Sequence, residues 1–581
     1  MIQKKSKGLE MITNEKLQTR TLRFYNESFK TDDWDFLKAE LENLQIMEIN
    51  NATDLLTFLE KKSEFDELIA DEMAWRYIKM TCDSANEALL NAFNEYQEKI
   101  ISPMQTYDFE LKKKFYTSPF RNELNEKQYK LLNQIIANDI ELFREENIAI
   151  QEKITQLETK YGTIYGKMNV MFDGEEKTMA QLSVYLKEQD RAVREKAWHL
   201  RMNRLAEDRD AFNQLFDEMK VLRIEEAKNA GFDNFRDYMH QKKGRFSYTP
   251  QALFMFHEGV EKAVLPFLKE QTEERRQKLN IESVRPWDTA VDLDGKKLKP
   301  FENSEELIDK SIRILDQIDH DFALTLNKMK NSQYLDLENR KGKSPGGYNY
   351  PINAVNSSFI FMNSVGLHDD VTTLLHESGH AMHAMAMSSI TNEFYKSTPS
   401  EIAELASMSM ELMTMDYWKE FYPDNADFIK AKKEQILGTL EFLPWCMTVD
   451  AFQHWIYTNP NHTADERHQY FASLMDRFNV GIDWNGLDAE KQNRWMLQLH
   501  IFEVPFYYIE YGMSQLGALA IYKNYRENPK QAIEQYKNFL KAGYSKPVNE
   551  LYEIAGVNFK FDADYLNEIV AFVKKELDQL N

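Results

Sequence analysis

Apolar residues recur at steps of three and four positions along most of the chain, which is the spacing of one helix face. Near the start, Trp34, Leu37, Leu41 and Leu44 keep this spacing, and Thr31 precedes them as a candidate helix cap. The same steps recur in two later sets: Ile150, Ile154, Leu157 and Tyr161, and Leu566, Ile569, Val570, Val573, Leu577 and Leu580. Because only 20 glycines and 15 prolines are present to interrupt helices, the pattern predicts a mainly α-helical protein.

Two short segments fit strands better than helices. Residues 170–175 contain the Asp173-Gly174 pair after an apolar run, which predicts a β-hairpin. Residues 355–363 are rich in aromatic and apolar side chains and are bounded by Asn and Gly, which predicts a strand. We therefore expect a small strand-bearing region beside the helix that follows, for which Asp369 and Asp370 supply capping carboxylates.

Composition narrows the class of protein. The chain has 581 residues and a net charge of −22, which disfavours binding to nucleic acids and to anionic membranes. Its two cysteines, Cys82 and Cys446, cannot form a disulfide framework. Residues 1–10 lack the apolar run of a signal peptide, and no window of about 18 apolar residues could span a bilayer. We expect a soluble, cytoplasmic protein.

The segment His376-Glu377-Ser378-Gly379-His380 carries the most specific chemical signal. In a helix, positions i and i+4 lie on one face, so His376 and His380 can reach the same metal ion. Glu377 lies between them, where its carboxylate can accept a proton from water that the metal activates. The pattern indicates a zinc hydrolase.

Spacing alone leaves several candidates for the third metal ligand. His383 lies on the same helix face but about 10 Å from His376 along the axis, so a hydrogen bond to a metal ligand, or packing, suits it better than binding the metal. Residues 398–401 (Thr-Pro-Ser-Glu) predict a capping box with proline at the first helical position, which would occupy Glu401. Glu404 lies nearly one turn deeper and is favoured on geometry, while Glu401 and the more distant Glu411 remain open.

The run His-Glu-Ser-Gly-His-Ala-Met-His from His376, followed by Pro-Ser-Glu-Ile-Ala-Glu at 399–404, resembles the oligoendopeptidase F branch of the thimet oligopeptidase family of zinc metallopeptidases. The resemblance implies that Glu404 is the third ligand and that each chain binds one Zn²⁺. It further implies a large multi-helix shell around a substrate channel, with a small β-sheet beside the metal-binding helix. On this basis we expect an N-terminal helical lobe at 1–186 and a catalytic domain at 187–581.

Residues 500–511 (His-Ile-Phe-Glu-Val-Pro-Phe-Tyr-Tyr-Ile-Glu-Tyr) form a second informative segment. Pro505 suits a helix start, and Tyr508 and Tyr511 would then share a face, a spacing that is by itself most typical of a core. The resemblance implies that His500 and Tyr508 are catalytic and that Tyr511 binds substrate. The spacing from histidine to tyrosine leaves Tyr507 as an alternative to Tyr508.

Together these features predict a zinc endopeptidase that hydrolyses internal bonds of short unfolded oligopeptides, with Glu377 as general base. We expect the strand near 355–362 to take the substrate as an additional strand. One alternative is a zinc carboxypeptidase on a similar helical fold, which would need a cation for the terminal carboxylate. Another is a non-catalytic protein with a structural zinc, but such a site would leave Glu377 without a role. Cleavage preference and oligomeric state remain open.

Overall fold

The computed structural model describes residues 15–580, which form a mainly α-helical protein with two small β-sheets. The predicted fold class is therefore confirmed. Residues 1–10, for which we expected no signal peptide, lie outside the described part. Within residues 15–580, every helix is too short or too polar to cross a membrane.

Contacts divide the chain into two units, each built from separate stretches of sequence. The first unit comprises the chain up to Glu141, Leu298–Gln435 and Gly517–Phe559, and the second comprises Leu142–Lys297, Ile436–Leu516 and the chain from Lys560. The two units are defined by contacts and do not mark the extent of a catalytic domain. The predicted boundary between an N-terminal lobe at 1–186 and a catalytic domain at 187–581 therefore stays a prediction.

Twelve helices precede residue 297 in the described part of the chain. They are α1 (Trp34–Ile46), α2 (Ala52–Cys82), α3 (Glu87–Tyr96), α4 (Ser102–Thr117), α5 (Glu126–Leu142), α6 (Glu146–Gly166), α7 (Met179–Ser183), α8 (Arg191–Glu207), α9 (Arg209–Asn229), α10 (Phe235–Lys242), α11 (Pro250–Gly259) and α12 (Leu265–Leu279). In α1, the predicted residues Leu37, Leu41 and Leu44 are buried. Asp33, and not Thr31, caps this helix.

Thirteen more helices follow up to residue 580. They are α13 (Ser304–Ile318), α14 (His320–Asn331), α15 (His368–Ala386), α16 (Glu393–Lys396), α17 (Ser400–Thr414), α18 (Asn425–Thr458), α19 (Ala464–Arg477), α20 (Asp488–Asn493), α21 (Leu499–Glu503), α22 (Tyr508–Glu527), α23 (Pro529–Ala542), α24 (Val548–Ile554) and α25 (Ala563–Asp578). The boundary between the units falls inside α18 and α22.

The second unit contains the predicted hairpin. Strands β1 (Asn169–Phe172) and β2 (Glu175–Thr178) pair in antiparallel fashion. The connecting residues Asp173 and Gly174 both have positive φ, 52° and 85°, as a two-residue type I′ turn requires.

The first unit contains a three-stranded sheet formed by β3 (Leu335–Glu338), β4 (Tyr348–Ile352) and β5 (Ser357–Ser364), in the order β3-β5-β4. The strand predicted near 355–363 is β5. It pairs with β3 in parallel and with β4 in antiparallel fashion. Because hydrogen bonds occupy both of its edges, β5 cannot take a substrate as an additional strand, and that expectation is wrong.

A carboxylate caps the turn that leads from this sheet into α15. Asp370 Oδ2 accepts hydrogen bonds from the backbone N–H groups of Val365, Gly366 and Leu367, each at 2.8 Å. The predicted capping role of this acidic pair is thus confirmed at Asp370. It holds the chain where it leaves β5 and so sets the start of the helix that carries the two candidate ligand histidines.

Candidate active site

Helix α15 places the imidazoles of His376 and His380 side by side. The two residues are one turn apart on the same face, and their ring centroids lie 5.0 Å from each other. Both rings are about four-fifths buried, with 20% and 19% of their side-chain surfaces exposed. The predicted histidine pair is therefore brought together by local helix geometry.

A close crossing of α15 and α17 supplies the third group. At Gly379, between the two histidines, an added Cβ would lie 2.6 Å from Ser407 Cα and 3.0 Å from Ala406 O, so only glycine permits this approach. As a result, Glu404 Oε2 lies 3.2 Å from His376 Nε2 and 3.8 Å from His380 Nε2. Glycine here is a packing requirement set by the facing backbone.

These three donors fit a metal ion. In the described part of the chain, His376, His380 and Glu404 are the one group of potential ligands whose donor atoms all lie within 4.8 Å of one another. Ligand atoms around a tetrahedral zinc lie about 3–4 Å apart, and the Glu404 oxygen lies 3.2 and 3.8 Å from the two histidine nitrogens. Two nitrogens and one oxygen suit zinc, and three protein ligands leave a coordination position for water, which is typical of a catalytic zinc site.

Helix α17 differs locally from expectation. It begins at Ser400 with Pro399 as N-cap, and no side-chain hydrogen bond caps it, so the predicted capping box is wrong. Glu401 is buried on this helix but does not belong to the group of three donors. The way in which α17 faces α15 brings Glu404, and not Glu401, to the two histidine rings.

Glu411, which the sequence left open as a third ligand, instead contacts the imidazole of His376 on the side away from Glu404. His376 Nδ1 lies 2.6 Å from Glu411 Oε1, and Gln435 Nε2 donates to Glu411 Oε2 at 2.7 Å. Burial disfavours the protonated imidazole, but hydrogen bonds to Glu404 and Glu411 outweigh burial and raise the pKa of His376 well above its usual value. A carboxylate that accepts the Nδ1 proton leaves Nε2 free to bind a metal.

Glu377 has an environment suited to proton transfer. Its side chain is buried, and burial raises the pKa of Glu377 to about 7. No group among residues 15–580 hydrogen-bonds to its carboxylate, whereas Asn349 Nδ2 of β4 donates to its backbone oxygen at 3.0 Å. A carboxylate with a pKa near neutrality can both accept and return a proton.

The other histidines of this region have structural roles. His383 is buried against the Phe539 ring, at 5.7 Å between centroids, and its Nε2 has no hydrogen-bond partner among the described residues. Of its two predicted roles, packing is therefore the one observed. His368 interacts through Nδ1 with the Tyr422 hydroxyl at 2.7 Å and packs against Trp418.

The predicted residues of the second segment form an aromatic cluster in the second unit. The His500 ring lies 4.8 Å from Tyr508 and 5.9 Å from Tyr511, and the two tyrosine rings are 5.7 Å apart. Tyr507 lies further from His500, at 6.2 Å, and Lys243 covers one of its faces. Helix α22 begins at Tyr508, three residues after Pro505, so the predicted helix start is wrong although the tyrosine pair is adjacent.

Two residues that sequence reasoning missed determine the tautomer of His500. The indole N–H of Trp445, which can only donate, binds Gln498 Oε1 at 2.8 Å. The Gln498 amide nitrogen therefore faces His500 Nδ1 at 2.7 Å and must donate to it. Burial lowers the pKa of His500 to about 4, so the ring is neutral near pH 7 and carries its proton on Nε2. His500 is thus a neutral hydrogen-bond donor.

The backbone before Tyr508 is held in an unusual conformation. Phe506 has φ of 62°, in the left-handed region that a phenylalanine rarely adopts. Its N–H donates to Gln453 Oε1 at 2.7 Å, and its carbonyl accepts from the buried Arg245, which pairs with Glu510 at 2.6 Å. These contacts fix the position from which Tyr508 enters α22. The left-handed residue gave no sequence signal, because it is not glycine.

Comparison with known proteins yields consistent similarities. Residues 184–571 match the sequence model of peptidase family M3, and residues 24–143 match the peptidase M3 N-terminal domain. An oligoendopeptidase F homolog from Borreliella burgdorferi is 24% identical over 485 residues, covering 78% of this chain and 77% of that protein. Group B oligopeptidase PepB from Streptococcus agalactiae is 24% identical over 376 residues, covering 61% of this chain and 59% of PepB.

Solved structures extend the similarity to nearly the whole chain. The structure of PZ peptidase A with inhibitor 2 superposes with a TM-score of 0.88 at 25% identity, covering 96% of this chain and 99% of that one. The resemblance drawn from the two sequence motifs is thus confirmed.

Proposed function

Because the chain belongs to peptidase family M3 and is a metallo-oligopeptidase, we propose that it is a zinc-dependent endopeptidase acting on internal bonds of short unfolded oligopeptides. The observation that carries this proposal is the convergence of His376, His380 and Glu404 beside the buried carboxylate of Glu377. A structural metal site would require no such carboxylate.

One Zn²⁺ per chain is held by His376, His380 and Glu404 in this proposal. The ion supplies Lewis acidity, which makes water a nucleophile near neutral pH and polarises the scissile carbonyl. Glu411 keeps the His376 ring oriented, because its carboxylate lies 2.6 Å from Nδ1 on the side away from Glu404.

Glu377 acts as general base and then as general acid. It accepts a proton from the attacking water and passes it to the leaving amine, so that the peptide C–N bond breaks with a neutral amine as product. The raised pKa of this carboxyl, about 7, suits both transfers at neutral pH. The hydrophobic surroundings that raise it also strengthen its interaction with the developing charge.

Tyr508 and His500 donate hydrogen bonds to the developing oxyanion, and Tyr511 binds the substrate. The proposal is supported by their protonation states. Burial raises the pKa of Tyr508 above its usual value, so its hydroxyl keeps its proton, and His500 is a neutral Nε2–H donor. Removing one such donor typically costs about 3 kcal/mol of transition-state stabilisation.

Mass spectrometry of a mixed-peptide digest tests the proposal. The purified protein is incubated with peptides of graded length, each with a free or an amidated C-terminus, with and without a chelator, and after zinc is restored. We expect internal cleavage of both sets, loss of activity with the chelator and its recovery with zinc. Stepwise trimming restricted to free C-termini would instead identify a carboxypeptidase.

The Glu377→Gln variant tests the general base separately. It should retain zinc, measured by elemental analysis, and lose nearly all cleavage. Retained turnover with full zinc content would overturn the assignment of Glu377.

A further inference from the structure

Arg494 occupies an unusual setting in the second unit. It opens a 3₁₀ turn at Arg494–Leu497, and its guanidinium carbon lies 4.8 Å from the Trp445 ring and 5.4 Å from the Trp484 ring. Cation–π attraction to the two indole rings uses no hydrogen bond of the guanidinium, so its N–H groups remain for hydrogen bonding. The side chain is half-buried, so an incoming group can reach it.

No anionic partner for Arg494 is present within residues 15–580. None of the described residues accepts a hydrogen bond from its guanidinium or lies within ion-pair distance of it. The charged group that acts on it is another cation, Arg201: burial and the Arg201 charge lower the pKa of Arg494 to about 10, which leaves it protonated near neutrality. By contrast Arg467, also stacked on aromatic rings, pairs with Asp217 at 2.8 Å.

Arg201 also lacks a carboxylate among the described residues. Its one hydrogen bond there runs from Nη1 to Ser183 Oγ at 3.4 Å, and its Nε is buried without a partner. Two partly desolvated positive charges that interact unfavourably are costly to maintain, although the chain has 94 acidic residues. An anion supplied from outside would relieve this repulsion and satisfy the N–H groups.

Trp445 connects Arg494 to the aromatic cluster of His500, Tyr508 and Tyr511 described above. The indole that stacks on Arg494 donates to Gln498, which in turn orients His500, and it is close enough to the Tyr508 hydroxyl to interact with it. Arg494 is therefore separated from Tyr508 by one side chain, Trp445, and from His500 by two, Trp445 and Gln498. A peptide that engages Tyr508 would bring its own carboxylates into this region.

We propose that Arg494, assisted by Arg201, binds a carboxylate of the peptide substrate, and so acts as a specificity-determining residue. The carboxylate comes from the C-terminus or from an Asp or Glu side chain. A carboxylate fits because its two oxygens lie in one plane and can accept paired N–H bonds from the guanidinium edge. This inference rests on the proposed function, since it assigns the ligand to the peptide that is cleaved.

The test compares one peptide sequence in three forms: with a free C-terminus and no acidic side chain, with an amidated C-terminus, and amidated with one Glu in place of Gln. For Arg494→Gln we expect the KM of the carboxylate-bearing forms to rise about tenfold to a hundredfold, with the neutral amide unaffected. The carboxylate-bearing peptide whose KM rises shows whether the bound carboxylate is the C-terminus or the Glu side chain. Arg477→Gln, which removes an exposed arginine paired with Glu261, is the control of equal charge and should change nothing.

Equal changes on all three peptides, or none on any, would overturn the proposal. Thermal unfolding and zinc content distinguish a folding defect from a loss of substrate binding. Arg201→Gln is a second variant, for which we expect the same pattern of KM changes with a smaller size. Calorimetric binding of the three peptides to Glu377→Gln separates this inference from the proposed function. If the wild type cleaves nothing, the proposed function fails. A lower Kd for the carboxylate-bearing peptides that Arg494→Gln abolishes would still support the carboxylate site. Equal Kd values for the three peptides would refute the site.

Discussion

His376 and Glu411 are joined by a 2.6 Å contact between Nδ1 and Oε1, on the side of the imidazole opposite Glu404. A carboxylate outside the group of three donors therefore orients the imidazole of His376 and raises its basicity. The contact leads to a prediction that a measurement of zinc affinity can test.

Glu411→Gln should weaken zinc binding. The amide keeps the shape of the side chain but loses the charge that favours a proton on Nδ1, so we expect zinc affinity to fall about 10–100-fold. Competition with a chelator of known affinity measures this. Glu420→Gln, which removes a carboxylate that pairs with Arg313 in the same unit, is the control. Equal affinities for the two variants would show that Glu411 does not support the site.

Gly379→Ala should destabilise the protein. The new Cβ would lie 2.6 Å from Ser407 Cα, and backbone cannot move aside as a flexible side chain can. We expect the free energy of unfolding to fall by about 1–3 kcal/mol and zinc affinity to fall with it, because α15 and α17 must separate. Differential scanning fluorimetry and zinc titration measure the two effects.

Gly438→Ala is the matched control, because Gly438 lies inside α18 and an added Cβ there would meet nothing within 4 Å. It should raise the free energy of unfolding by up to about 1 kcal/mol, since alanine favours helix. Destabilisation of similar size by both variants would contradict the packing argument.

Tyr508→Phe should lower kcat by about 10²–10³-fold with little change in KM or zinc content, because the hydroxyl is needed only as charge develops. Tyr507→Phe is the control, since Tyr507 lies further from His500 and packs against Lys243. The assignment fails if Tyr507→Phe has the larger effect on kcat.

His468 predicts a pH dependence of stability. Its ring is fully buried, Asn213 lies 3.0 Å from Nε2, and burial lowers the pKa of His468 to about 4. In the unfolded chain the imidazole has a pKa near 6.5, so between pH 6.5 and 4 it binds a proton in the unfolded state but not in the folded state. Stability from this residue is therefore present above pH 6.5 and is lost as the pH falls towards 4.

Urea unfolding at pH 7.5 and pH 5 checks this prediction. The wild type should lose about 2 kcal/mol more than His468→Gln between the two values, because glutamine does not titrate. A constant difference between the two proteins at both pH values would mean that His468 titrates normally in the folded state.

The helices and part of the site follow from local rules. Leu37, Leu41 and Leu44 repeat at helical spacing and are buried, and Asp173-Gly174 forms the turn that its sequence predicts. His376 and His380 were predictable because the helix alone sets their separation. Glu404 needed more, since its spacing from His380 left Glu401 and Glu411 open until the family resemblance favoured one.

Other features depend on residues far apart in the chain. The strand β5 was predicted correctly, but its central position was not, because pairing with β3 and β4 is set by tertiary contacts. Trp445 and Gln498 orient His500 although they lie 53 positions apart, and neither belongs to a recognisable motif. Sequence could not distinguish Arg494, which has no anionic partner in the described part of the chain, from any other arginine.

By itself the sequence determined the fold class, the histidine pair and the position of Glu377 between the two histidines, because these depend on helical periodicity. Only the tertiary structure decided that Glu411 contacts His376 Nδ1 and lies outside the group of three donors, that β5 is central, and that Arg494 has no carboxylate partner among residues 15–580. The physical reason is that hydrogen bonds and charge pairing act over a few ångströms in space, so they depend on which distant segments meet.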